Sequence, residues 1–296
     1  MMLKNFGQME QFVREQSGKK RVALAAAHDA DALGSLMMAV DRGIAEAILI
    51  GRRKEIVRVL DEMGKDAGDF RIIEEEDDRA AADKAVELVH CGEADMPMKG
   101  LMHTSTFMKA ILDKEKGLKE DGNLLSQASV FEIPEKDRFL IISDCAVNID
   151  PDLETKIKIT ENAAALAHTL GIEQPKIAVL SAVEVVNPKI RSTVDAAAMR
   201  ERLSDRYLID GPLALDNAID EAAAHHKGIE SPVAGNADIL IVPDLWSGNI
   251  FSKGLVFFAH LRSAGTLNGL KAPVVMSSRT DTVENKYLSI LTAVLQ

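Results

Sequence analysis

Residues 239–254, ILIVPDLWSGNIFSKG, carry an apolar run into Pro243–Asp244, then a polar turn of Ser247, Gly248 and Asn249, then Lys253. In open α/β sheets ligands lie beyond the carboxyl ends of the strands, so a strand that breaks in this way delivers a binding loop. A helix opening in that turn would offer backbone N–H groups to an anion. The competing account is an ordinary strand-to-helix connection. Five further loops concentrate polar residues after a strand or turn signal: Lys99–Ser105, Ser143–Asn148, Asn187–Asp195, Asp210–Pro212 and Ser277–Asp281. Together they could line one cleft. Singly, Asp210 can be a turn residue, Ser192 and Thr193 can be caps, and His103 can be a partly buried imidazole.

The charge balance narrows the ligand. Thirty-five Lys and Arg against 46 Asp and Glu give a net charge of −11, and no basic block with interleaved aromatics occurs. Such a surface repels polyanions and argues against nucleic acid. A small anionic ligand would need a local positive site, which directs attention to Arg and Lys in loops. The acidic run Glu74–Asp78 reads as a solvated loop and helix start. His225 and His226 are adjacent, so they point to different helix faces and do not form a ligand pair. Cys91 and Cys145 have neither disulfide nor metal-ligand spacing. No metal site is expected. The absence of an apolar stretch of roughly 20 residues, and of an apolar leader at the amino terminus, implies a soluble cytoplasmic protein with no membrane partner.

The elements that must position these loops alternate between short apolar runs and amphipathic stretches, the pattern of parallel strands with crossover helices. Strands are predicted at Arg21–Ala27, Ala45–Ile50, Phe70–Ile73, Ala128–Phe131, Arg138–Ser143, Lys176–Ser181, Arg206–Ile209, Ala237–Val242 and Ala272–Met276. A long helix is predicted over Pro151–Leu170, with Asp150 as N-cap, Pro151 at the first position and Gly171 closing it. Asp210–Gly211–Pro212 reads as the same punctuation after the Arg206 strand, and Thr282–Leu295 as a final helix. The polar loop Glu132–Asp137 is the expected domain junction. This divides the chain into residues 1–134 plus 282–296 and residues 135–281, with a cleft between the two.

Taken in order, KGLMHTSTFMKAILDKEKGL, SDCAVNIDPDL, GIEQPKIAVLSAVEVVNPKI, DGPLALDNAI, ADILIVPDLWSGNIFSK and APVVMSSRTDTVENKYLSI resemble the phosphate acetyltransferase and phosphate butyryltransferase family. DLETKIKIT and SSRTDTVENKYLSI lean toward the butyryl branch. The resemblance implies two three-layer α/β domains of the isocitrate/isopropylmalate dehydrogenase-like fold, a homodimer or higher homo-oligomer, and the reversible reaction of acyl-CoA with inorganic phosphate to acyl phosphate and CoA. CoA and phosphate would be substrates, with no tightly bound cofactor.

That chemistry needs a fixed cation for phosphate and hydrogen-bond donors for the oxyanion that develops on the thioester carbonyl. The resemblance assigns these tasks to Arg279, whose planar guanidinium binds phosphate bidentately, and to Ser278. The family's Asp, seven residues beyond the serine, falls on Asn285, which cannot accept a proton. Asp281 is the preferred substitute base, with Glu284 and phosphate itself as alternatives and helix capping as a competing role for Asp281. His103 and Thr104 at a helix start, Asp144 and Asn148 after the Arg138 strand, and Asp244, Gly248, Asn249 and Lys253 are expected as substrate-binding residues. Cys145 is assigned to the pocket wall, since no adjacent base activates it. Ser252 stands where the acetyl branch commonly has Tyr, which would leave room for a longer acyl chain. Two other classes remain: a non-catalytic acyl-CoA or phosphate-binding relative, suggested by Asn285, and a metal- and nicotinamide-dependent hydroxyacid dehydrogenase. The latter is disfavoured because no G-x-G-x-x-G follows a strand.

Overall fold

The run KRVALA is exposed only at its start and buried over its last four residues, as a parallel strand covered on both faces must be. It is the central strand of the first of two units into which the chain divides, Phe6–Asn123 with Ala264–Gln296. The computed structural model describes residues 1–16, 18–120 and 122–296. In chain order this unit begins α1 (Phe6–Glu15), β1 (Lys20–Ala25), α2 (Ala30–Asp41), β2 (Ala45–Gly51), α3 (Arg53–Glu62), β3 (Arg71–Glu74), α4 (Asp78–His90), β4 (Met96–Lys99) and α5 (Thr104–Ile111). The four strands are parallel in the order β3-β2-β1-β4. Asp29 caps α2 by accepting from the Ala32 N–H, and Asp77, from the acidic run, caps α4 at Ala80.

The second unit, Met1–Asn5 with Leu124–Ser263, contains β5 (Ser126–Ile133), β6 (Arg138–Ser143), α6 (Leu153–Thr169), β7 (Lys176–Leu180), α7 (Arg191–Leu203), β8 (Leu208–Leu213), α8 (Leu215–Ile219), α9 (Glu221–His226), β9 (Ile239–Ile241) and α10 (Leu245–Phe257). Its strands follow the order β5-β6-β9-β7-β8, antiparallel between β5 and β6 and parallel thereafter. The chain leaves this unit at the start of β10 (Ser263–Asn268) and ends in α11 (Val283–Leu295), which packs on α2 and α1 in the first unit. No helix among the described residues is long and apolar enough to cross a membrane.

Several expectations shift for local reasons. The segment 132–137 is the connection of the β5–β6 hairpin inside one unit, because Ser126–Ile133 and Arg138–Ser143 pair along their length. The unit boundaries fall instead at 123/124 and 263/264, so 264–281 lie with α11 in the first unit. Asp152, not Asp150, caps α6 by accepting from Thr155 N–H at 2.8 Å, and Asp150 pairs with Arg191. Asp210–Gly211–Pro212 is the interior of β8, not punctuation. An edge strand tolerates this proline because its missing N–H takes no ladder bond from a neighbour. The predicted strand Ala272–Met276 is reduced to bridges, Val275 with Met98 and Val274 with Leu267. Strands β4 and β10 were not predicted: MPMK mixes a proline and a lysine into the run, and SAGTLN is too polar to stand out.

Candidate functional site

The order β3-β2-β1-β4 reverses direction about β1, since the chain adds strands on one side through β3 and then crosses to the other for β4. Crevices at such switch points are where open α/β sheets bind ligands. The carboxyl ends of β1 and β4 carry Ala26–Asp29 and Lys99–Met102, tied by hydrogen bonds from Gly100 N–H to Ala25 O (2.8 Å) and Leu101 N–H to Ala26 O (3.1 Å). Gly100 is required by this approach: a Cβ there would lie 2.3 Å from the Ala26 oxygen.

On the far side of β4, Lys99 N–H donates to Val275 O at 3.0 Å, and Val275 N–H to Pro97 O at 3.0 Å. The chain then runs from this pairing into Ser277–Asp281, so the turn bearing Arg279 emerges from the same sheet end as Lys99. Asp281 accepts from the Ser278 N–H at 2.7 Å, and Ser278 Oγ lies 3.1 Å from Thr280 Oγ1. Lys286, buried on α11, donates to the Ser278 carbonyl at 3.1 Å and to that of Asp281. The turn is therefore pinned at both ends while Arg279 stays exposed. Thr282, not Asp281, caps α11, accepting from Asn285 N–H at 3.1 Å. Asn285 is buried in that first turn.

Lys99 is 5% exposed, and its ammonium donates to the carbonyls of Gly100 and Met102, each at 3.2 Å. Burial first, then repulsion from Arg279 and Lys286, hold this group below the usual lysine range against an opposing pull from Asp29. Three cations are thus gathered in one unit of an acidic protein. The loop after Lys99 leads into α5, whose N-cap His103 makes no side-chain cap bond. The N–H groups of Thr104 and Ser105 have no partner among the described residues, and both residues are exposed with His103. Cations beside an uncapped helix start can receive an anion.

The remaining expected residues lie in the second unit, where they mostly bind one another. The buried Asp144 carboxylate accepts from the N–H groups of Ala146 (2.8 Å), Val147 (2.9 Å), Gln127 (3.1 Å) and Asn148 (3.3 Å), and from Asn148 Nδ2 (2.6 Å). Asn148 also donates to Leu125 O, and Asn249 to Cys145 O at 3.3 Å. A Cβ on Gly248 would meet Asp144 O at 2.5 Å, so α10 packs directly on this knot. Asp244 caps α10, accepting from Ser247 N–H at 2.8 Å and from its hydroxyl at 2.9 Å. The helix start that the sequence offers to an anion is thus filled by its own carboxylate. Lys253 lies 5.7 Å from the centroid of Phe257. Ser252 is buried, with Oγ donating to Asn249 O at 3.2 Å. Cys145 is buried among Phe131, Leu140, Leu180 and Val242, and burial pushes its thiol up to about 12.

The sequence reading placed Ser278, Arg279, Asp281, His103 and Thr104, all in the first unit, but gave no role to Lys99 or Lys286. Their signal was available: each is a lysine inside an otherwise apolar run, MPMK and VENKYLSILTAVL. Lysine is rarely buried without a task.

A family model described as Phosphate acetyl/butaryl transferase matches residues 79–294. A phosphate butyryltransferase of Clostridium acetobutylicum is 46% identical, over 99% of this chain and 98% of that one. Among solved structures, a branched-chain phosphotransacylase from Enterococcus faecalis superposes with a TM-score of 0.84 at 34% identity, covering 93% of this chain and 98% of the other. A 4-hydroxythreonine-4-phosphate dehydrogenase from Klebsiella pneumoniae reaches a TM-score of 0.57 at 13% identity over 94% of this chain and all (100%) of that one, which shows the dehydrogenase-like fold alone.

Proposed function

The chain belongs to the phosphate acetyl/butyryl transferase family of acyltransferases, and we propose that the acyl group it passes reversibly between CoA and inorganic phosphate is butyryl or a branched chain of four to five carbons. The chain length is supported by the butyryltransferase and branched-chain phosphotransacylase likenesses. The observation that carries the site is Arg279, exposed on a turn held by Asp281 and Lys286, with no side-chain hydrogen bond or ion pair among the described residues.

In this mechanism Arg279 binds phosphate through paired N–H donors and Ser278 adds a neighbouring donor. A phosphate oxygen attacks the thioester carbon, the C–S bond breaks, and the hydrogen of HPO4²⁻ ends on the departing CoA sulfur, so atoms and charge balance without a resident cofactor. Asp281 is the carboxylate closest in sequence to relay that proton, although its side chain is also engaged by the Ser278 N–H. His103 and Thr104, at the open start of α5, face an anionic group of the substrate. Lys253 on α10 serves CoA, and Asp144, Asn148, Asp244, Gly248 and Asn249 shape the loop that α10 covers. Attack is direct, and the buried, protonated thiol of Cys145 supports a ternary complex over an acyl-enzyme.

The exposed face of α10, with Trp246, Ile250 and Phe257 followed by Phe258, supports a homodimer in which a second copy covers it. The unpaired Cys91 and Cys145 fit a cytoplasmic setting.

The test is phosphate-dependent loss of thioester from acetyl-, butyryl- and isobutyryl-CoA, with Arg279→Ala in parallel. Turnover should favour the four-carbon substrates and fall about 10²- to 10³-fold in the variant. Preference for acetyl-CoA would replace the chain-length assignment, and an unaffected variant would remove Arg279 from the site.

A further inference from the structure

We propose that Lys99 is the second cation of the phosphate site, its ammonium held by the Gly100 and Met102 carbonyls at the carboxyl end of β4 with its third N–H directed to the phosphate that Arg279 receives. This rests on Arg279 as phosphate anchor and extends it to a residue with no assigned role. A buried ammonium is costly unless a counter-charge compensates it. Here the two partners are neutral carbonyls at 3.2 Å, and no ion pair among the described residues joins Lys99, Arg279 or Lys286 to a carboxylate. Asp29, the opposing charge that acts on Lys99, is occupied at one oxygen by the α2 cap. Three cations kept together in a chain of net charge −11 repel one another until a dianion arrives. The open N–H groups of Thr104 and Ser105, on the helix that follows the same loop, add donors of the same sign.

Phosphate dianion would relieve the repulsion that now favours loss of the Lys99 proton. Binding should therefore draw a proton onto Lys99 in alkaline solution, and phosphate should bind less well as pH rises. Phosphate itself stays dianionic above about pH 8, so the effect belongs to the protein.

The experiment compares wild type with Lys99→Met in steady-state kinetics. The expected result is a phosphate KM raised at least 20-fold, an acyl-CoA KM within about threefold, and loss of the rise in phosphate KM between pH 8 and 10. Lys99→Arg, which keeps the charge, should recover part of the phosphate affinity. A role confined to bracing the loop would instead lower the melting temperature and leave the phosphate KM unchanged, which overturns the proposal. A variant that does not fold leaves the wild-type measurement: calorimetric titration of phosphate at steps from pH 8 to 10.5 in two buffers of different ionisation enthalpy. Equal heats, meaning no proton uptake, overturn it as well. Wild type without any phosphate-dependent turnover would instead strike at the parent reading of Arg279.

Discussion

Cys145 separates direct transfer from covalent catalysis, and the structure sets the size of the difference. The thiol sits at 3% exposure, its Sγ 3.5 Å from the Ile142 carbonyl, with Asp144 next to it in the chain. Removal from water first, and the neighbouring carboxylate second, raise it from 9.0 to about 12, against smaller help from Ser129 and Ser252. At pH 8 such a group is about one part in 10⁴ thiolate, whereas an ordinary thiol near 8.5 is about one quarter ionised. The thiolate fraction alone therefore predicts alkylation on the order of 10³-fold slower than at an ordinary cysteine, and burial slows it further. Native protein treated with iodoacetamide at pH 8 and mapped by mass spectrometry should be modified at the exposed Cys91, with Cys145 left intact. Cys145→Ala should keep turnover within about threefold, read as thioester loss, and cost about 1–2 kcal/mol of stability from the small void it leaves. Alkylation of Cys145 at the rate of Cys91 with protection by acyl-CoA, or a 10³-fold drop in turnover of a folded Cys145→Ala protein with a burst of released CoA, would refute direct attack.

Two further substitutions separate chemistry from architecture. Asp281→Asn keeps an oxygen able to accept from Ser278 N–H but removes the proton acceptor. If Asp281 is the base, kcat should fall about 10²-fold or more with unchanged melting; a fall of less than about fivefold would return it to a purely structural role. Asp144→Asn replaces one accepting oxygen with an NH2 group facing N–H donors from Gln127, Ala146, Val147 or Asn148. About 3–5 kcal/mol of stability should be lost in urea unfolding while the folded fraction keeps its turnover. Lost turnover at full stability would show that Asp144 touches substrate.

Much of this molecule was legible locally. Parallel strands advertise themselves as apolar runs because both faces are covered, so Ala45–Ile50 and Arg138–Ser143 stand within a residue of β2 and β6. Caps are one-turn interactions, and the acidic run was legible as the helix start that Asp77 caps, whereas the Asp150 cap fell two residues from the true cap, Asp152. The strings around Ser278, Arg279 and Asp244 carried the resemblance to the family. Pairing between distant segments was not legible in this way. Nothing local says that Val275 lies against Met98, and it is this pairing that sets the Arg279 turn beside a buried Lys99. Nor could spacing tell that the carboxylates of Asp144 and Asp244 accept from the backbone N–H groups of Ala146 and Ser247. A residue type states which bonds a side chain can make; which of them are already taken depends on strand order and loop closure, properties of the whole chain.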